Sequence, residues 1–214
     1  MADRIAALDR SRSGGTPAGE RRAEPVRETP LRSDAARNRE RLLAAAAAAF
    51  AERGAEVPLE DIARSAGVGI GTLYRHFPTR DALVEVVYRH EVEVLCERAD
   101  ELLEQMPPDQ ALAAWMQLFV RHVHTKKGML SVLKPMMAND SSLYAATKAR
   151  TAECASRLLA AGVAAGTVRD DLEGADLIRA VGGICMSTDQ ETTRSSERLV
   201  NVIVDGLRAP AARG

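Results

Sequence analysis

The chain has 214 residues, of which 46% are hydrophobic and 3% aromatic, and its formal net charge at pH 7 is −1. This length supports one large or two small domains with a sizeable core. The charge excludes a strongly basic surface over the whole protein, and no apolar run reaches the ~18 residues that a membrane span needs. Because the N-terminus also lacks the apolar segment of a signal peptide, we expect a soluble cytoplasmic protein.

Residues 1–33 are rich in Arg, Gly, Pro, Glu and Ser and have little apolar periodicity, which predicts a disordered arm. A solvated tail is the favoured interpretation of this arm, and a phosphate-binding arm is the alternative. The first helix is expected to begin at Ser33 or Asp34, since either residue caps a helix well. The alanine block at residues 44–49 favours helix, and Gly54 ends it.

The most informative pattern of the chain is VPLEDIARSAGVGIGTLYRHFPTRDAL, at residues 57–83. It predicts a short helix, a turn at Gly67 where positive φ is favoured, and a second helix over residues 70–76. Leu73 and Phe77 lie one helical turn apart and are assigned to the core. Two short helices that cross at a glycine turn form a helix-turn-helix, whose second helix enters a DNA major groove.

The remainder of the chain predicts further helices. A long fourth helix is expected from Arg80 to Gln105, and at 1.5 Å per residue it would span about 39 Å and reach beyond the helix-turn-helix unit. Later helices are expected, in chain order, at residues 109–125, 128–137, 142–161, 174–187 and 195–207. No segment alternates in the way that a strand requires, so the predicted fold class is all-α with about nine helices.

The helix-turn-helix segment resembles the DNA-binding domain of the TetR family of bacterial transcriptional regulators. The matching runs are Asp61-Ile62-Ala63, Ala66-Gly67-Val68, Gly71-Thr72-Leu73-Tyr74-Arg75-His76-Phe77 and Arg80-Asp81-Ala82-Leu83, and residues 41–50 with Gly54 fit the family's first helix. The rest of the chain resembles the family only in length, helical content and the closing Asp205-Gly206-Leu207. The resemblance implies a three-helix DNA-binding domain at residues 34–80 and a helical effector-binding and dimerisation domain at residues 81–214.

The resemblance also assigns candidate DNA-binding residues. It puts Tyr74 and His76 on phosphates, and Arg80 stands where the family usually has a phosphate-binding lysine. Thr72 and Ile70 are the candidates for base contacts in the groove. The full predicted set is Arg37, Arg39, Arg41, Ile70, Thr72, Tyr74, Arg75, His76 and Arg80. Partial packing of Tyr74 against the first helix, and mere solvation of the histidine and of most of the arginines, are the alternatives.

One position departs from the family pattern. The family often has Ser or Thr where Gly69 stands, and glycine is the weaker helix cap. Gly69 and Gly71 would let the backbone approach DNA closely. We therefore expect recognition to rely on few base contacts and on DNA shape.

Two apolar stripes near the C-terminus predict a dimer interface. They consist of Leu177, Val181 and Ile184 on the eighth helix and of Leu199, Val200, Ile203, Val204 and Leu207 on the ninth, with Gly182 and Gly183 permitting close helix approach. Four such helices from two chains would make a bundle. The same stripes also suit an intramolecular core, so the dimer rests mainly on the resemblance.

Methionine and aromatic residues of the fifth to seventh helices suit an adaptable apolar pocket as well as an ordinary core. Family members usually hold a small effector in this domain. We therefore predict that its pocket is lined by Trp115, Phe119, His122, Met137 and Tyr144. Few charges are expected to point inward, which favours an apolar or amphipathic effector.

No metal site and no cofactor are predicted. His122 and His124 lie two residues apart on a helix and point in different directions, which makes a poor metal pair. Cys96, Cys154 and Cys185 form no Cys-x-x-Cys pattern, so we expect reduced, buried thiols, with thiol sensing as the less favoured alternative.

The resemblance implies a transcriptional regulator, most commonly a repressor that binds a palindromic operator as a homodimer and is released by a small effector. Its partners would be double-stranded operator DNA, the effector and a second copy of the chain, with no membrane. An enzyme is the first rival, but the chain has no glycine-rich phosphate loop and no nucleophile motif. A helical adaptor that has lost DNA binding is the second rival.

Overall fold

The computed structural model describes residues 30–187 and 193–208, so residues 1–29 of the predicted arm lie outside the described part of the chain. Within those ranges the chain is helical, and its only β-type pairing is an isolated bridge between Val168 and Arg208. The helices are α1 (Pro30–Arg53), α2 (Leu59–Ser65), α3 (Ile70–His76), α4 (Arg80–Gln105), α5 (Pro108–Gly128), α6 (Leu130–Asn139), α7 (Ser142–Ala164), α8 (Gly174–Ser187) and α9 (Thr193–Leu207). The all-α prediction is confirmed. None of these described helices is long and apolar enough to cross a membrane.

Most predicted helix bounds agree with the structure to within a few residues. The bounds of α3, α4 and α8 are those predicted. Helix α1 begins at Pro30, earlier than the predicted caps, because a proline at the first helical position needs no N–H partner. Residues 30–33 of the predicted arm therefore belong to α1. Helix α5 continues to Gly128 because Lys126 and Lys127 are good helix formers.

Glycines with positive φ shape the N-terminal helices. Gly54 follows α1 with a φ of 81°, and Gly67 forms the turn after α2 with a φ of 65°. Other L-residues rarely adopt this conformation. In the turn, the Gly67 N–H donates to the Arg64 carbonyl and the Val68 N–H donates to the Ala63 carbonyl, each at 3.0 Å. These two bonds hold α2 and α3 at the crossing that the sequence predicts.

Helix α5 is the centre of the fold. It packs against α1, α4, α6, α7, α8 and α9. Its buried face includes Trp115, Met116 and Phe119, and the Trp115 Nε1 donates to the Leu95 carbonyl on α4 at 2.9 Å. Burying one large apolar side chain of this kind stabilises the fold by roughly 1.5–3 kcal/mol. A movement of α5 therefore changes its packing against most of the other helices.

The last residue of α5 makes a backbone contact with α1. Gly128 lies so close to Phe50 that a Cβ at this position would overlap the Phe50 carbonyl. The Gly128 carbonyl also accepts a hydrogen bond from the Ala55 N–H at 2.9 Å, in the loop between α1 and α2. Because only glycine lacks a Cβ, only glycine permits this approach. Helix α5 is thus joined directly to the helix-turn-helix unit.

A disulfide joins α4 to α7, which corrects the prediction of three reduced thiols. Cys96 and Cys154 are both buried and are bonded to each other across a sequence separation of 58. A salt bridge between Arg157 and Asp100, at 2.8 Å, connects the same two helices nearby. The spacing of the cysteines could not reveal this pair because the two residues lie on different helices. Cys185 is buried and lies outside the disulfide.

We predict that reduction of this disulfide lowers the free energy of unfolding. Opening a loop of 58 residues returns conformational entropy to the unfolded chain, and the loss should be about 4 kcal/mol. Urea denaturation followed by circular dichroism, with and without dithiothreitol, measures it. The C185A variant should keep the dependence on reductant, and the C96A/C154A double variant should lose it. Equal stability of the wild type in both conditions would contradict the prediction.

We also predict that Gly128→Ala destabilises the protein by about 1–3 kcal/mol, because the new methyl group overlaps the Phe50 carbonyl and forces α1 and α5 apart. Gly183→Ala is the matched control, since a Cβ there meets no atom within 4 Å. Because Gly183 lies in a helix interior, this control should gain up to about 1 kcal/mol of stability. Denaturation midpoints of the two variants in parallel decide the question, and an unchanged midpoint for Gly128→Ala would refute the contact.

Candidate functional site

Helix α3 presents one side to solvent and buries the other. Tyr74 is 46% exposed, and Arg75 is exposed beside it. A Cβ added at Gly69 or Gly71 would meet no atom within 4 Å, so the backbone at the start of α3 is open to close approach. Leu73 is fully buried, as predicted, and anchors the helix. The outer side of α3 is therefore available to a second molecule while the inner side holds the helix in place.

Three other predicted contact residues of α3 are partly buried. Ile70 packs against the hydrophobic core, so only part of its side chain faces outward. Thr72 is also partly buried, and the His76 ring lies 6.1 Å from that of Phe77. None of the three is enclosed in the interior. The predicted set on α3 thus stays together on one short helix at the protein surface.

Arg80 has an internal role that the sequence did not reveal. Its Nη1 donates to the Ala55 carbonyl and to the Val57 carbonyl, the latter at 2.7 Å. Both carbonyls belong to the loop between α1 and α2, and the Arg80 side chain is partly buried against it. Arg80 therefore fastens the start of α4 to that loop. A phosphate would have to share a guanidinium that already makes two internal hydrogen bonds.

The predicted arginines of α1 differ in their surroundings. Arg37 is exposed and pairs with Asp34 at 2.6 Å, and Arg39 is partly buried. The Nη2 of Arg41 donates to the Gly67 carbonyl at 3.0 Å, which connects α1 to the turn between α2 and α3. Exposed ion pairs such as that of Arg37 contribute little stability. Its guanidinium is therefore free to exchange its partner for a phosphate at small cost.

A cavity of about 310 Å³ lies between α4, α5, α7 and α8. The described residues that line it are Tyr88, Phe119, His122, Val123, Lys126, Tyr144, Lys148, Thr151, Ala175, Ile178, Arg179, Gly182, Gly183 and Met186. Its inner wall is made of buried side chains, whereas Lys148, Arg179 and Met186 are exposed at its mouth. The volume is at the lower end of the range of small-molecule sites.

A row of rings forms the inner wall of this cavity. The ring centroids of Trp115 and Phe119 lie 5.6 Å apart, those of Phe119 and His122 6.0 Å, and those of His122 and Tyr88 6.1 Å, with the planes of each pair nearly parallel. The Tyr88 hydroxyl is hydrogen-bonded to that of Thr147 at 3.0 Å. Burial raises the pKa of Tyr88, so its phenol is neutral at pH 7. The wall is therefore flat and uncharged.

His122 is a buried polar group with unused hydrogen-bonding capacity. Burial, and after it the positive charge of Lys126, lowers the pKa of His122 to about 4, so the imidazole is neutral at pH 7. Its Nδ1 has no hydrogen-bond partner among the described residues. Leaving a buried polar atom unpaired destabilises a fold, and most such atoms have partners. A bound molecule is one source of the missing partner.

Positive charge collects in the cavity. Lys126, Lys148 and Arg179 line it, and no acidic side chain is among the described lining residues. The Lys126 Nζ lies 4.4 Å from the ring centroid of Tyr144 and 5.5 Å from that of Tyr88. Burial, followed by repulsion from Lys148, lowers the pKa of Lys126. Few charges were expected to point inward, and of these three cations only Lys126 is partly buried, while Lys148 and Arg179 are exposed.

The structure brings three of the five predicted pocket residues to the cavity, namely Phe119, His122 and Tyr144. Trp115 is fully buried behind the wall, and its indole N–H is used in the hydrogen bond to α4. Met137 packs against the core and is not a lining residue. Composition could identify these residues as large and apolar, but it could not show which face of each helix turns toward the cavity.

The two lysines of the cavity were missed, although the sequence contains a signal for them. Lys126 follows His122 by four residues, and Lys148 follows Tyr144 by four. Residues at this spacing share one helix face, so each lysine lies beside a residue that was predicted. Gly182, predicted to permit helix approach, borders the cavity instead, and a Cβ there meets no atom within 4 Å.

The residues predicted for the dimer interface divide into two groups. Leu177, Val181, Val200, Val204 and Leu207 are buried in the core of the protomer itself. Ile184 and Ile203 are partly buried, and Leu199 is 45% exposed. Two residues that were not predicted, Val202 and Met186, are 68% and 48% exposed on the same two helices. An apolar surface on α8 and α9 thus remains after the protomer has folded.

Two family models match separate parts of the chain. Residues 42–87 match the model for bacterial regulatory proteins of the tetR family. Residues 107–209 match the model for the C-terminal domain of transcriptional regulators similar to SbtR. The first match covers the helix-turn-helix, and the second covers α5 to α9, which carry the described lining residues of the cavity other than Tyr88 on α4.

Solved structures agree with these matches over the whole fold. A TetR transcriptional regulator from Streptomyces coelicolor is 40% identical, with a TM-score of 0.75 over 81% of this chain and 99% of that chain. A TetR transcription regulatory protein from Mycobacterium vanbaalenii is 40% identical, with a TM-score of 0.68 over 84% of this chain and 100% of that chain.

Shorter matches come from curated relatives. The HTH-type transcriptional repressor KstR2 of Mycolicibacterium smegmatis is 35% identical over 104 residues, which are 46% of this chain and 50% of that protein. An HTH-type transcriptional regulator of Staphylococcus aureus is 37% identical over 65 residues, which are 30% of this chain and 35% of that protein. The chain thus spans half or less of the length of these two relatives. All four of the related proteins are transcriptional regulators and not enzymes.

We predict that Arg80 acts on stability and that Arg75 does not. Replacing Arg80 with Gln removes its bonds to the Ala55 and Val57 carbonyls, and each lost charged hydrogen bond costs about 1.5–3 kcal/mol. Arg75→Gln is the matched control, because Arg75 is exposed and makes no hydrogen bond or ion pair with the described residues. Thermal unfolding of both variants without DNA measures the difference. Equal melting temperatures for the two variants would show that the Arg80 contacts are unimportant.

Proposed function

The chain belongs to the TetR family of bacterial transcriptional regulators, and we propose that it is a repressor that binds a palindromic operator as a homodimer and is released by a small effector. The observation that carries the proposal is the exposed side of α3. There Gly69 and Gly71 leave the backbone uncovered beside Tyr74 and Arg75. Such a helix fits a major groove, where its small surface allows backbone and side chains to approach the DNA together.

The assigned contacts follow from exposure and charge. Thr72 is the candidate for base contact, and Tyr74, Arg75 and His76 are candidates for phosphate contact. Arg37, Arg39 and Arg41 of α1 are assigned to the flanking phosphates, with Arg41 also holding the turn at Gly67. Ile70 and Arg80 are assigned a smaller role in DNA binding. Ile70 packs against the core, and Arg80 donates a hydrogen bond to the loop after α1.

A dimer follows from the weakness of one short recognition helix. Two copies on two half-sites multiply the affinity, with half-sites about one helical turn apart or slightly more. The surface proposed for the dimer is the exposed apolar side of α8 and α9, which contains Leu199, Val202 and Met186. Ile184 and Ile203 border this surface and would become more buried in the pair. The five buried residues of the predicted set would support this surface from within.

Release by the effector is proposed to act through α4 and α5. Both helices line the cavity, through Tyr88 on α4 and through His122 and Lys126 on α5. Both also reach the DNA-binding unit, α4 through Arg80 and α5 through Gly128. An effector that prefers one arrangement of these helices changes the spacing of the two recognition helices and so lowers operator affinity. A balance of 99:1 is inverted by about 5.5 kcal/mol of such preference.

Repression is proposed to take place in the cytoplasm, where the operator DNA is. The rival function is a helical adaptor that binds another protein and has lost DNA binding. The open backbone and the arginine of α3 favour the repressor, because an adaptor has no need of an uncovered groove-sized helix. The effector cavity is common to both functions and does not distinguish them.

We predict saturable, salt-sensitive binding to a palindromic sequence near the protein's own gene. Gel shift and footprinting at several salt concentrations should show two protected half-sites. Thr72→Ala should weaken binding to this site by about 1–3 kcal/mol per half-site. Arg75→Gln should weaken binding to all sequences and reduce the salt slope by about one per protomer.

The matched control for these variants is Arg98→Gln on α4, an exposed arginine that pairs with Glu101 away from α3. It should bind as the wild type does. An adaptor would shift no DNA with sequence preference, and an affinity that does not change with salt concentration would contradict phosphate contact. Sedimentation of the free protein measures its oligomeric state. The Val202→Glu variant, which places a charge on the proposed dimer surface, should shift this state toward the monomer.

A further inference from the structure

The charge of the cavity is unbalanced. Lys126, Lys148 and Arg179 line it together with no described carboxylate. Neither lysine forms an ion pair elsewhere in the described ranges, whereas Arg179 has an exposed partner, Asp176, at 3.1 Å. The chain has only four lysines, and two of them are here. Placing cations together in a partly desolvated space is unfavourable unless a counter-charge is present.

The charges lie on one side of the cavity. Lys148 and Arg179 are exposed at the mouth, and Lys126 is partly buried between the rings of Tyr88 and Tyr144. The inner wall beyond them is apolar and aromatic. Among the buried residues of that wall is His122, whose Nδ1 has no hydrogen-bond partner among the described residues. The cavity therefore offers an uncharged interior and a cationic entrance, which suits a molecule with an apolar body and an anionic end.

We propose that the cavity binds a small organic carboxylate, with its aromatic or aliphatic body against Phe119 and His122 and its carboxylate bound by Lys126, Lys148 and Arg179. This inference rests on the proposed function only in naming the carboxylate as the effector. The carboxylate would supply the counter-charge that the two lysines lack. Charge-assisted hydrogen bonds to ammonium and guanidinium groups are among the stronger polar contacts in proteins.

Size and desolvation favour a monoanion over a phosphate. The cavity holds about 310 Å³, the volume of about ten waters at roughly 30 Å³ each, so a molecule with one ring and a short chain fills it. A doubly charged phosphate at the cavity entrance would meet the same three cations as a carboxylate and would lose more hydration on entry.

The protonation of the inner groups agrees with this geometry. Burial and the charge of Lys148 lower the pKa of Lys126, and burial lowers the pKa of His122. A bound anion offsets the repulsion between the two lysines. It therefore favours the charged form of Lys126, which strengthens the contact that holds it.

The test uses four probes with the same phenyl body and different ends. They are 3-phenylpropanoate, 3-phenylpropanamide, 3-phenylpropylamine and phenyl phosphate, and isothermal titration calorimetry on the full chain measures their affinities. The acid should bind at least about tenfold more tightly than the amide, from the added charged hydrogen bonds. The amine should bind more weakly than the amide.

Variants assign the preference to the cavity. The K126Q/K148Q double variant should reduce the ratio of acid to amide affinity to about threefold or less. K134Q is the matched control for the single variant K148Q, since it removes one lysine charge from an exposed position on α6 outside the cavity, and it should keep the wild-type ratio. If the double variant fails to fold, K148Q alone, at an exposed position, should still lower the ratio. An unchanged ratio in K148Q would count against the assignment.

The remaining outcomes separate this inference from the proposed function. Three results would overturn the proposal that the cavity binds a carboxylate. They are equal affinity for acid and amide, tighter binding of phenyl phosphate than of the acid, and no saturable binding of the acid. None of these results affects operator binding, which is measured in the absence of any probe. If a bound acid does not change the affinity for operator DNA, the proposal that the effector releases the DNA is overturned. The proposal of a carboxylate site is not affected by that result.

Discussion

The contact between Gly128 and Phe50 is the constraint on which the two halves of the chain depend. It joins backbone to backbone, so no change of rotamer can relax it, and the adjoining hydrogen bond from the Ala55 N–H to the Gly128 carbonyl fixes its direction. Contacts between side chains tolerate small shifts, whereas closely packed backbones do not. Lys126, two residues before Gly128, lines the cavity. The same segment of α5 therefore contacts the DNA-binding unit through Gly128 and the cavity through Lys126.

The cavity departs from the rules that the rest of the core obeys. Elsewhere most buried polar side chains are hydrogen-bonded, as with Trp115 and its bond to Leu95, or Tyr88 and its bond to Thr147, and His124 Nε2 is the other described buried atom without a partner. Sites at which local rules fail are the expected places for function, because a well-packed apolar substitute would be more stable there. An unpaired imidazole nitrogen and uncompensated lysines are two such failures at one place. A bound anion would compensate the lysines, which is why we interpret this place as a binding site.

The sequence was most informative where the structure is determined locally. Gly67 and the spacing of Leu73 and Phe77 define the helix-turn-helix within a few residues, and the structure has the predicted bounds for α3 and α4. Prediction failed where neighbours distant in sequence decide the outcome. The disulfide needs α4 and α7 to be adjacent, and the internal role of Arg80 needs the loop after α1 to lie within its reach. For the same reason composition identified Phe119, His122 and Tyr144 in the cavity but neither the Tyr88 ring on α4 nor the cations.

The disulfide decides which part of α4 can move. Cys96 is fastened to α7, and the salt bridge from Asp100 to Arg157 fastens the same region again. The segment before Cys96 is attached to α7 more weakly, through the hydrogen bond between the Tyr88 and Thr147 hydroxyls, and it contains Tyr88 on the cavity wall and Arg80 at the DNA-binding unit. At 1.5 Å per residue, the distance from Cys96 to Arg80 along the helix is about 24 Å, so a rotation of about 5° at the fastened point displaces Arg80 by about 2 Å. Interfaces with discrete packing convert displacements of this size into a change of state. The effector that we propose would therefore, by displacing Tyr88, move the less constrained N-terminal part of α4 while the part around Cys96 stays attached to α7.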